Sequence, residues 1–465
     1  MSKGKIWFAL AVLFAINLMN FYDRLILGAV GELIREQWKL SDTQLGFLGT
    51  VFILVYAAVG VPLGRLADRA NRTRILTVGV TVWSLLTALS GMAQQYWQMF
   101  VLRLTVGVGE ASCAPAANSL IGDLFPPATR ARAMSLFMLG LPLGNAACLL
   151  FSGTVAKHYG WQSAFFVALV PGLLCAVGAY MIHEPKRGGT EAHAIGSLKR
   201  PGSPYLLVLS IPTMRWIIAS GALHNFNMYA IGSFLTPFVM RVHHTDVQFA
   251  GYVTMAVYGL AGVPGMMLGG LWGDAILRRR RNGRMLLAAV AIAFSVPLLY
   301  FALGRPSGEW LLFSVLFGFG CAMMYVYYAT VYSTIQDVIE PSLRATAMAL
   351  YFCAMYVFGG ALGPMVIGNT SDYFAQRAAI VDGVNLEGLD AGTLQKTLGP
   401  YKGVGLNDAL YALPIVSAVL AGVLFAGSRT VARDVDKLQH WMRESAAGQP
   451  PKPPQMPREP EQVVT

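Results

Sequence analysis

Charged residues are scarce in this sequence. Of its 465 residues, 13% are Asp, Glu, Lys or Arg and 55% are hydrophobic, and the mean hydropathy is +0.52. A soluble protein carries about a quarter charged residues, so the composition excludes an ordinary soluble domain. It predicts a polytopic membrane protein instead.

Several motifs that carry chemistry are missing as well. There is no G-x-x-x-x-G-K-[ST] sequence, which excludes a phosphate-cradling loop and an ATP-driven pump in this chain. Neither H-E-x-x-H nor a paired C-x-x-C occurs, so the sequence supports no metal site and no cofactor. The five cysteines all fall inside apolar runs and form no disulfide framework. No nucleic-acid motif occurs, and the symmetric pore-lining charges of an ion channel are missing.

Long apolar runs fill most of the chain. They are continuous, unlike the alternating strands of a membrane barrel, and at about 20 residues per span the chain has room for about twelve helices. The first run contains Asp23 and Arg24 and is too long for a cleaved signal peptide. The predicted helices cover residues 6–30, 45–64, 75–93, 97–120, 133–155, 163–182, 215–240, 249–271, 285–303, 310–332, 344–369 and 408–427.

The distribution of Lys and Arg predicts the orientation. Of the 35, 25 fall on the side that holds both termini, 8 fall on the opposite side and 2 lie within spans. By the positive-inside rule both termini are cytoplasmic, and we expect a multi-pass protein of a bacterial-type inner membrane. The predicted units are an N-terminal six-helix bundle (1–183), a cytoplasmic linker (184–214), a C-terminal six-helix bundle (215–428) and a cytoplasmic Pro-rich tail (429–465). We assign no function to the outward loop at 372–407.

The two halves of the chain repeat each other. The sequence DLFPPATRARAMSL from Asp123 returns as DVIEPSLRATAMAL from Asp337, at a constant offset of 214. The sequence GRLAD at 64–68 likewise returns as GLWGD at 270–274. Parallel repeats of six spans are typical of transporters whose halves rock around a central site. A duplicated scaffold without transport activity is the alternative.

The sequence resembles the major facilitator superfamily over about residues 6–430, because GRLADRANRTR (64–74) is similar to that superfamily's loop signature. Within it the chain resembles the Spinster-like lipid transporters. This second resemblance is carried by NFYDR (20–24), GTVFILVYA (49–57), RLTVGVGEAS (103–112) and IGDLF (121–125).

This resemblance implies an all-α integral membrane fold, the major facilitator fold, with twelve helices in two pseudo-symmetric six-helix bundles. It implies a secondary transporter that works by alternating access on a lysophospholipid or sphingoid-type lipid. Organic-anion symporters of the same superfamily share a Tyr-x-Asp-Arg motif and an Arg-to-Glu-Ala pattern, so a sugar acid or small carboxylate is the alternative substrate. The rival from another class is an intramembrane enzyme, for which Asp23 and Glu110 would be the only carboxylate pair; flux without product formation in liposomes would separate the two.

Four ionisable side chains lie inside predicted spans, where such groups mark function by default. Helix one carries Asp23 and Arg24. Helix four carries Arg103 and Glu110, which are two turns apart and share one face. If helix one ends at Val30, Asp23 lies ~10 Å below the outer surface and level with Arg103.

The superfamily resemblance implies that these four charges face one another across a cavity and couple transport to protons. Asp23 is expected to pair with Arg103 when the outer half is closed, and Glu110 to bind a proton near mid-bilayer. The alternative is a static cluster of salt bridges that only orients helices one and four.

The predicted substrate-binding residues divide between the halves. In the first half, Asn17, Asn20 and Arg24 form a polar stripe on helix one. In the second half, helices seven and ten supply Met, Tyr and Phe, which suit an apolar or amphipathic ligand. The full set is Asn17, Asn20, Arg24, Arg103, Asn225, Asn227, Tyr325 and Tyr328.

The loop signature predicts a gate on the cytoplasmic side. Gly64 allows another helix to approach closely. Asp68 is expected to accept hydrogen bonds from the N-terminus of helix eleven near Leu343, where the helix dipole favours an anion. Arg69 and Asp274 complete the predicted gating set, although anchoring of the topology is an alternative role for the arginine.

The expected partners follow from these features. They are a small anionic or amphipathic substrate, protons, and membrane lipids, which Arg278–Arg281 is suited to contact through their headgroups. A monomer is expected, and no nucleic acid.

Overall fold

The computed structural model describes residues 2–38, 40, 42–190, 203–245, 247–386, 389, 393–394 and 397–446. The Pro-rich sequence from 447 onward, residues 191–202 of the predicted linker and part of the 372–407 loop lie outside the described residues. Within these ranges the chain forms helices and no strand.

Twelve long helices follow one another in the described part of the chain, which confirms the predicted fold. Their bounds are α1 Lys3–Trp38, α2 Asp42–Arg69, α3 Arg72–Ser90, α4 Tyr96–Glu110 and Cys113–Leu124, α5 Pro127–Met138 and Gly140–Tyr159, α6 Trp161–Met181, α7 Pro212–Val242, α8 Val247–Thr254, Met255–Leu260 and Gly262–Leu277, α9 Gly283–Leu303, α10 Trp310–Val338, α11 Arg344–Ala354, Met355–Ala361 and Leu362–Val381, and α12 Lys402–Leu410 and Ala412–Ala446.

Ten of these helices are long and apolar enough to cross a membrane. An eleventh is α7, which follows the short helix Pro204–Ser210 at a bend of 90°. The twelfth, α4, is divided between Glu110 and Cys113.

Prolines account for the breaks in five helices. A proline lacks the backbone N–H that would bond four residues back, and its ring crowds that carbonyl group, so the helix bends there. In α8 and α11 the disturbed segment is a π turn, at Met255–Leu260 and Met355–Ala361. The prolines that follow the five breaks are Pro115, Pro142, Pro264, Pro364 and Pro414.

Helix α1 is longer than the sequence predicts, because it continues to Trp38 rather than ending near Val30. Its end is fixed on α6, where the Trp161 indole stacks edge-on at 5.4 Å from that of Trp38. Asp23 therefore lies 15 residues, or ~22 Å, from the end of α1. This is about twice the predicted depth. The last helix also continues to Ala446, past its predicted end at 427.

Helices α1–α6 and α7–α12 form two halves that meet at one end of the molecule. There α2 packs on α11, and α5 packs on α8. We call this end the basic side, because Arg72, Arg130, Arg284 and Arg344 lie there, and the other end the far side. The described ends of the chain both lie at the basic side, where Trp7 contacts Phe125 and Asp436 pairs with Arg281.

Candidate functional site

A cavity of about 360 Å³ lies between the two halves, within the usual size range of small-molecule sites. Its first-half wall carries polar and charged side chains, and its second-half wall is largely aromatic. The polar wall includes Asn17, Asn20, Arg24, Arg103, Asn118 and Asn145. The aromatic wall includes Tyr229, Tyr258, Tyr328, Tyr332, Phe352 and Tyr356, with Asn225 among them.

Arg24 and Glu110 form the ion pair at the centre of the site. Arg24 Nε lies 2.8 Å from Glu110 Oε2, and Asn20 Nδ2 donates to the same oxygen at 3.0 Å. Arg24 Nη1 also donates to the hydroxyl of Tyr356 at 2.8 Å. The guanidinium lies 4.3 Å from the ring centroid of Tyr56. Arg24 therefore connects α1 and α4 of the first half to α11 of the second.

Asp23 and Arg103 do not form an ion pair in this conformation. Within the described residues, neither carboxylate oxygen of Asp23 has a hydrogen-bond partner, and neither do Nε and Nη2 of Arg103. Both side chains are almost completely buried. Arg103 lines the cavity and packs 5.3 Å from the ring of Phe165, whereas Asp23 lies behind the wall. Successive helix residues point about 100° apart, so Asp23 turns inward when Arg24 faces the cavity.

Two residues predicted to face the cavity do not line it. The amide of Asn227 donates to the carbonyl of Leu413 and to Ser417 on α12, at 3.2 and 2.9 Å. Tyr325 packs instead into α8, where its ring lies against Gly262. Both helices are apolar on most faces, so the sequence does not specify which face turns toward the cavity.

The remaining predicted residues line the cavity and also fix the backbone around it. Asn17 donates to the carbonyl of Phe137, next to the break in α5, at 2.9 Å. Asn225 donates to the carbonyl of Met355, at the start of the π turn in α11, at 3.0 Å. Tyr328 lies on the aromatic wall. The sequence does not single out Tyr356, because helix eleven carries no charge between Arg344 and Asp372.

At the basic side, Asp68 bridges the two halves. Its carboxylate accepts hydrogen bonds from the backbone N–H groups of Ala345 and Thr346, at 2.9 and 2.8 Å. These are the first free donors of α11, where the helix dipole favours an anion. One turn earlier, a Cβ on Gly64 would lie 2.4 Å from that of Ala349, so only glycine allows this approach.

The second half makes the same contact in reverse. Asp274 accepts hydrogen bonds from the N–H groups of Ala131 and Arg132 on α5, at 3.0 and 3.1 Å. A Cβ on Gly270 would lie 2.4 Å from the hydroxyl of Ser135. These donors lie 214 residues before those that meet Asp68, the same offset as in the sequence repeat. Arg69, by contrast, is exposed and joins no ion pair among the described residues.

A buried ion-pair cluster lies beside each of these contacts. Asp123 accepts from Arg72 of its own half at 2.5 Å and from Arg344 of the other half at 2.6 Å. The repeated residue, Asp337, pairs with Arg284 of its own half and with Arg130 of the other. The repeat identified both aspartates and two of these arginines as related positions, but it did not indicate that they pair across the halves.

One feature of the basic side has no counterpart among the described residues of the second half. After α6, the chain crosses the first-half cluster, and Glu184 Oε1 lies 2.7 Å from Arg72 Nε. Arg187 donates to two carbonyl groups at the end of α2, and the N–H of Gly188 donates to Asp123 at 2.9 Å. Burial and the nearby Arg72 lower the pKa of Arg187. The start of the predicted linker is therefore part of this packed surface.

The model of the Major Facilitator Superfamily matches residues 12–364 of this chain. The chain belongs to the major facilitator superfamily. The duplicated contacts at the basic side and the cavity between two six-helix halves are the features that this membership explains, and it makes the chain a transporter rather than an enzyme.

Comparison with individual relatives shows to which group within the superfamily the chain is similar. The chain is 31% identical to Protein spinster homolog 1 of Xenopus tropicalis over 379 residues, which are 78% of this chain and 72% of the relative. It is 28% identical over 367 residues to an MFS-type efflux pump of Mycolicibacterium smegmatis, covering 79% and 84% of the two chains. The chain is therefore a major facilitator transporter of the Spinster type and a multi-pass membrane protein.

A solved structure supports the same assignment. A bacterial homologue of the human lysosomal transporter Spinster, in an inward-facing and unoccupied conformation, superposes with a TM-score of 0.64 at 26% identity. The match covers 93% of this chain and 99% of that one. That structure is inward-facing, whereas the basic ends of the two halves are in contact here.

Proposed function

We propose that this transporter moves an amphipathic anionic or zwitterionic single-chain lipid, of the lysophospholipid or sphingoid type, by alternating access and with coupling to protons. The observation that carries the proposal is the division of the cavity. Its first half presents a buried, unpaired arginine, and its second half presents an aromatic wall. A head group and an acyl chain need these two different surroundings.

Arg103 is the proposed site for the anionic head group. The charge of Arg24 is already matched by Glu110 in this conformation, whereas Arg103 has two buried nitrogen atoms without an acceptor among the described residues. A buried charge without a partner is costly, so an anion that enters the cavity gains the interaction that Arg103 lacks. The rings of Tyr328, Tyr332 and Phe352 on the opposite wall would then contact the chain.

Asp23 and Glu110 are the proposed proton-binding groups. Glu110 is held by Arg24 and Asn20, while Asp23 has no hydrogen-bond partner among the described residues. A carboxylate that gains and loses an arginine as the halves move changes its affinity for a proton in each state. This dependence on conformation is what couples a proton to a substrate.

The basic side is the proposed cytoplasmic side. The positive-inside rule supports this orientation, in a bacterial-type inner membrane with both termini in the cytoplasm. Gly64, Asp68, Asp274 and the buried ion pairs then form a cytoplasmic gate that is closed here. Residues 1–183 and 215–428 are the proposed moving units, joined by the 184–214 linker, in a protein that works as a monomer.

A small sugar acid is the second candidate substrate. The second-half wall is more polar than the sequence indicates, because Asn225 lines it together with five tyrosines, Tyr229, Tyr258, Tyr328, Tyr332 and Tyr356. A small polar solute needs hydrogen-bond partners on both sides, since polar groups left unpaired on burial weaken binding.

A series of single-chain lipids distinguishes the two substrates. Thermal stabilisation of the purified protein is expected to rise with chain length, by up to ~0.8 kcal/mol for each buried methylene. Arg103→Met should reduce the stabilisation by every member of the series, because all share the head group. If stabilisation stays flat across the series and a hexuronate stabilises strongly, the proposed substrate is the sugar acid and not the lipid.

A further inference from the structure

Inside the cavity, the hydrogen bond from Arg24 to Tyr356 connects the two halves. Arg24 Nη1 donates across the cavity at 2.8 Å, while Nε of the same guanidinium lies 2.8 Å from Glu110. One planar group therefore contacts the proposed proton-binding carboxylate and the opposite half at the same time. A guanidinium has a rigid fork of donors, so losing one contact changes the direction of the other.

Tyr356 lies in the irregular part of α11. It is the second residue of the π turn Met355–Ala361, a form of helix that is rare and found mostly at functional positions. The turn packs directly on α7, because a Cβ on Gly359 would lie 2.5 Å from the carbonyl oxygen of Ala222. The ring of Tyr356 is held edge-on by Tyr56 at 5.1 Å. A change at the hydroxyl thus acts on a segment that can bend.

We propose that Tyr356 is a positioning residue that senses, through Arg24, whether Glu110 carries a proton, and that it passes this state to the π turn of α11. The inference rests on the proton coupling proposed above. It assigns to the second half of the protein a role in coupling, although the charged groups of the cavity all belong to the first half among the described residues.

The step is a single proton transfer with its charge balanced. With Glu110 ionised, Arg24 is neutralised by it and holds Tyr356. When Glu110 takes a proton, Arg24 remains positive and loses its counter-ion. It then turns toward the anionic head group of the substrate, next to Arg103, and withdraws its donor from Tyr356. The part of α11 beyond the π turn is released from the first half only when both proton and anion are present.

No other group around Glu110 offers the same connection. The titratable and charged groups that act on it or on Arg24 are Asp23, Arg103 and Cys113 from the first half, the phenols of Tyr56 and Tyr229, and Tyr356 itself. Two of these groups belong to the second half. In the described structure Tyr356 accepts a hydrogen bond from Arg24, whereas the ring centroid of Tyr229 lies 6.2 Å from that of Tyr356.

Tyr356→Phe tests the inference, with Tyr373→Phe as the matched control. The control removes a hydroxyl from the same helix at a position that is 60% exposed and does not line the cavity. Spin labels at Tyr159 and Val381, both 79% exposed at the far side of opposite halves, report the separation of the halves. With a lysophospholipid present, the distance should change in the parent and the control, but not in Tyr356→Phe, as the pH falls from about 8 to about 5.

Transport gives the second readout. In proteoliposomes with a lysophospholipid, Tyr356→Phe should lower pH-driven accumulation about tenfold, the loss of one hydrogen bond to a charged group, while gradient-free exchange is retained. Arg24→Lys should behave alike, because an ammonium cannot contact both partners in the same way. If the parent responds to pH and Tyr356→Phe responds equally, this inference is wrong. If the parent shows no pH response and no pH-driven transport, the proposed proton coupling itself is wrong.

Discussion

Glu110→Gln is expected to reduce pH-driven accumulation to background while the protein stays folded and still exchanges substrate. Glutamine resembles the protonated carboxyl group in shape and charge and keeps an oxygen for Asn20, which donates to Glu110 at 3.0 Å. It has no charge to pair with Arg24 and no proton to release. Uptake into proteoliposomes with and without a pH gradient measures the two activities separately.

The same experiment carries its own controls. Glu309→Gln changes an exposed carboxylate at the start of α10, so its accumulation should match that of the parent. Asp23→Asn should also lose accumulation, and it should be tolerated structurally because neither oxygen of Asp23 has a partner to lose among the described residues. Accumulation at the parent level by a stable Glu110→Gln protein would remove this residue from the coupling mechanism.

Arg344→Met is expected to separate the two halves at the basic side. The ion pair of Arg344 with Asp123 joins the halves and is completely buried. Removing one partner of such a pair costs about 3–5 kcal/mol, and here the cost applies to the state in which the halves touch. Asp123 keeps Arg72, which makes the effect smaller. The remaining cost still suffices to reverse the ratio of the closed and open states of the basic side if the two are nearly balanced.

The duplication gives this prediction an internal test. Arg130→Met breaks the related pair with Asp337 and should open the same side to a similar extent. Asp68→Asn should have a weaker effect, about 0.3–1 kcal/mol and up to about 2 kcal/mol if partly buried, because one charge–dipole contact is weakened. Arg132→Met should have little effect, since that side chain is 43% exposed.

Distances across the basic side provide the readout. Double electron–electron resonance between labels at the exposed positions Arg74 and Arg279, one in each half, should report a longer distance in Arg344→Met and Arg130→Met than in the parent. Unchanged distances in both variants would show that these pairs do not hold the halves together.

Much of the architecture follows from the sequence because hydrophobicity and repetition are properties of the chain itself. The offset of 214 relates the donors at Ala131 and Ala345 as well as the acceptors at Asp123 and Asp337. The prediction that Asp68 faces the start of helix eleven needed only the helix dipole and the position of the loop signature. Polar residues at the end of a span do not indicate whether the helix continues, so the sequence did not predict that α1 extends to Trp38.

The details of the cavity depend on how each helix is rotated, which the sequence does not specify for a helix apolar on most faces. Asn225 and Asn227 lie two residues apart, and one faces the cavity while the other bonds to α12. Asp23 and Arg24 are neighbours, yet Arg24 takes Glu110 as its partner and Asp23 has none among the described residues. Tyr356 lies at the start of the π turn before Pro364, and the sequence did not predict this irregular segment.

Uptake into proteoliposomes is the most direct test of proton-coupled lipid transport by this protein. The measurement compares a labelled lysophospholipid with a labelled hexuronate, each with and without an imposed pH gradient, in vesicles that contain the parent protein or Glu110→Gln. We expect the parent to accumulate the lysophospholipid only when the gradient is present, and Glu110→Gln not to accumulate it under either condition. Gradient-driven accumulation of the hexuronate alone, or lipid uptake that is indifferent to the gradient, would contradict this expectation.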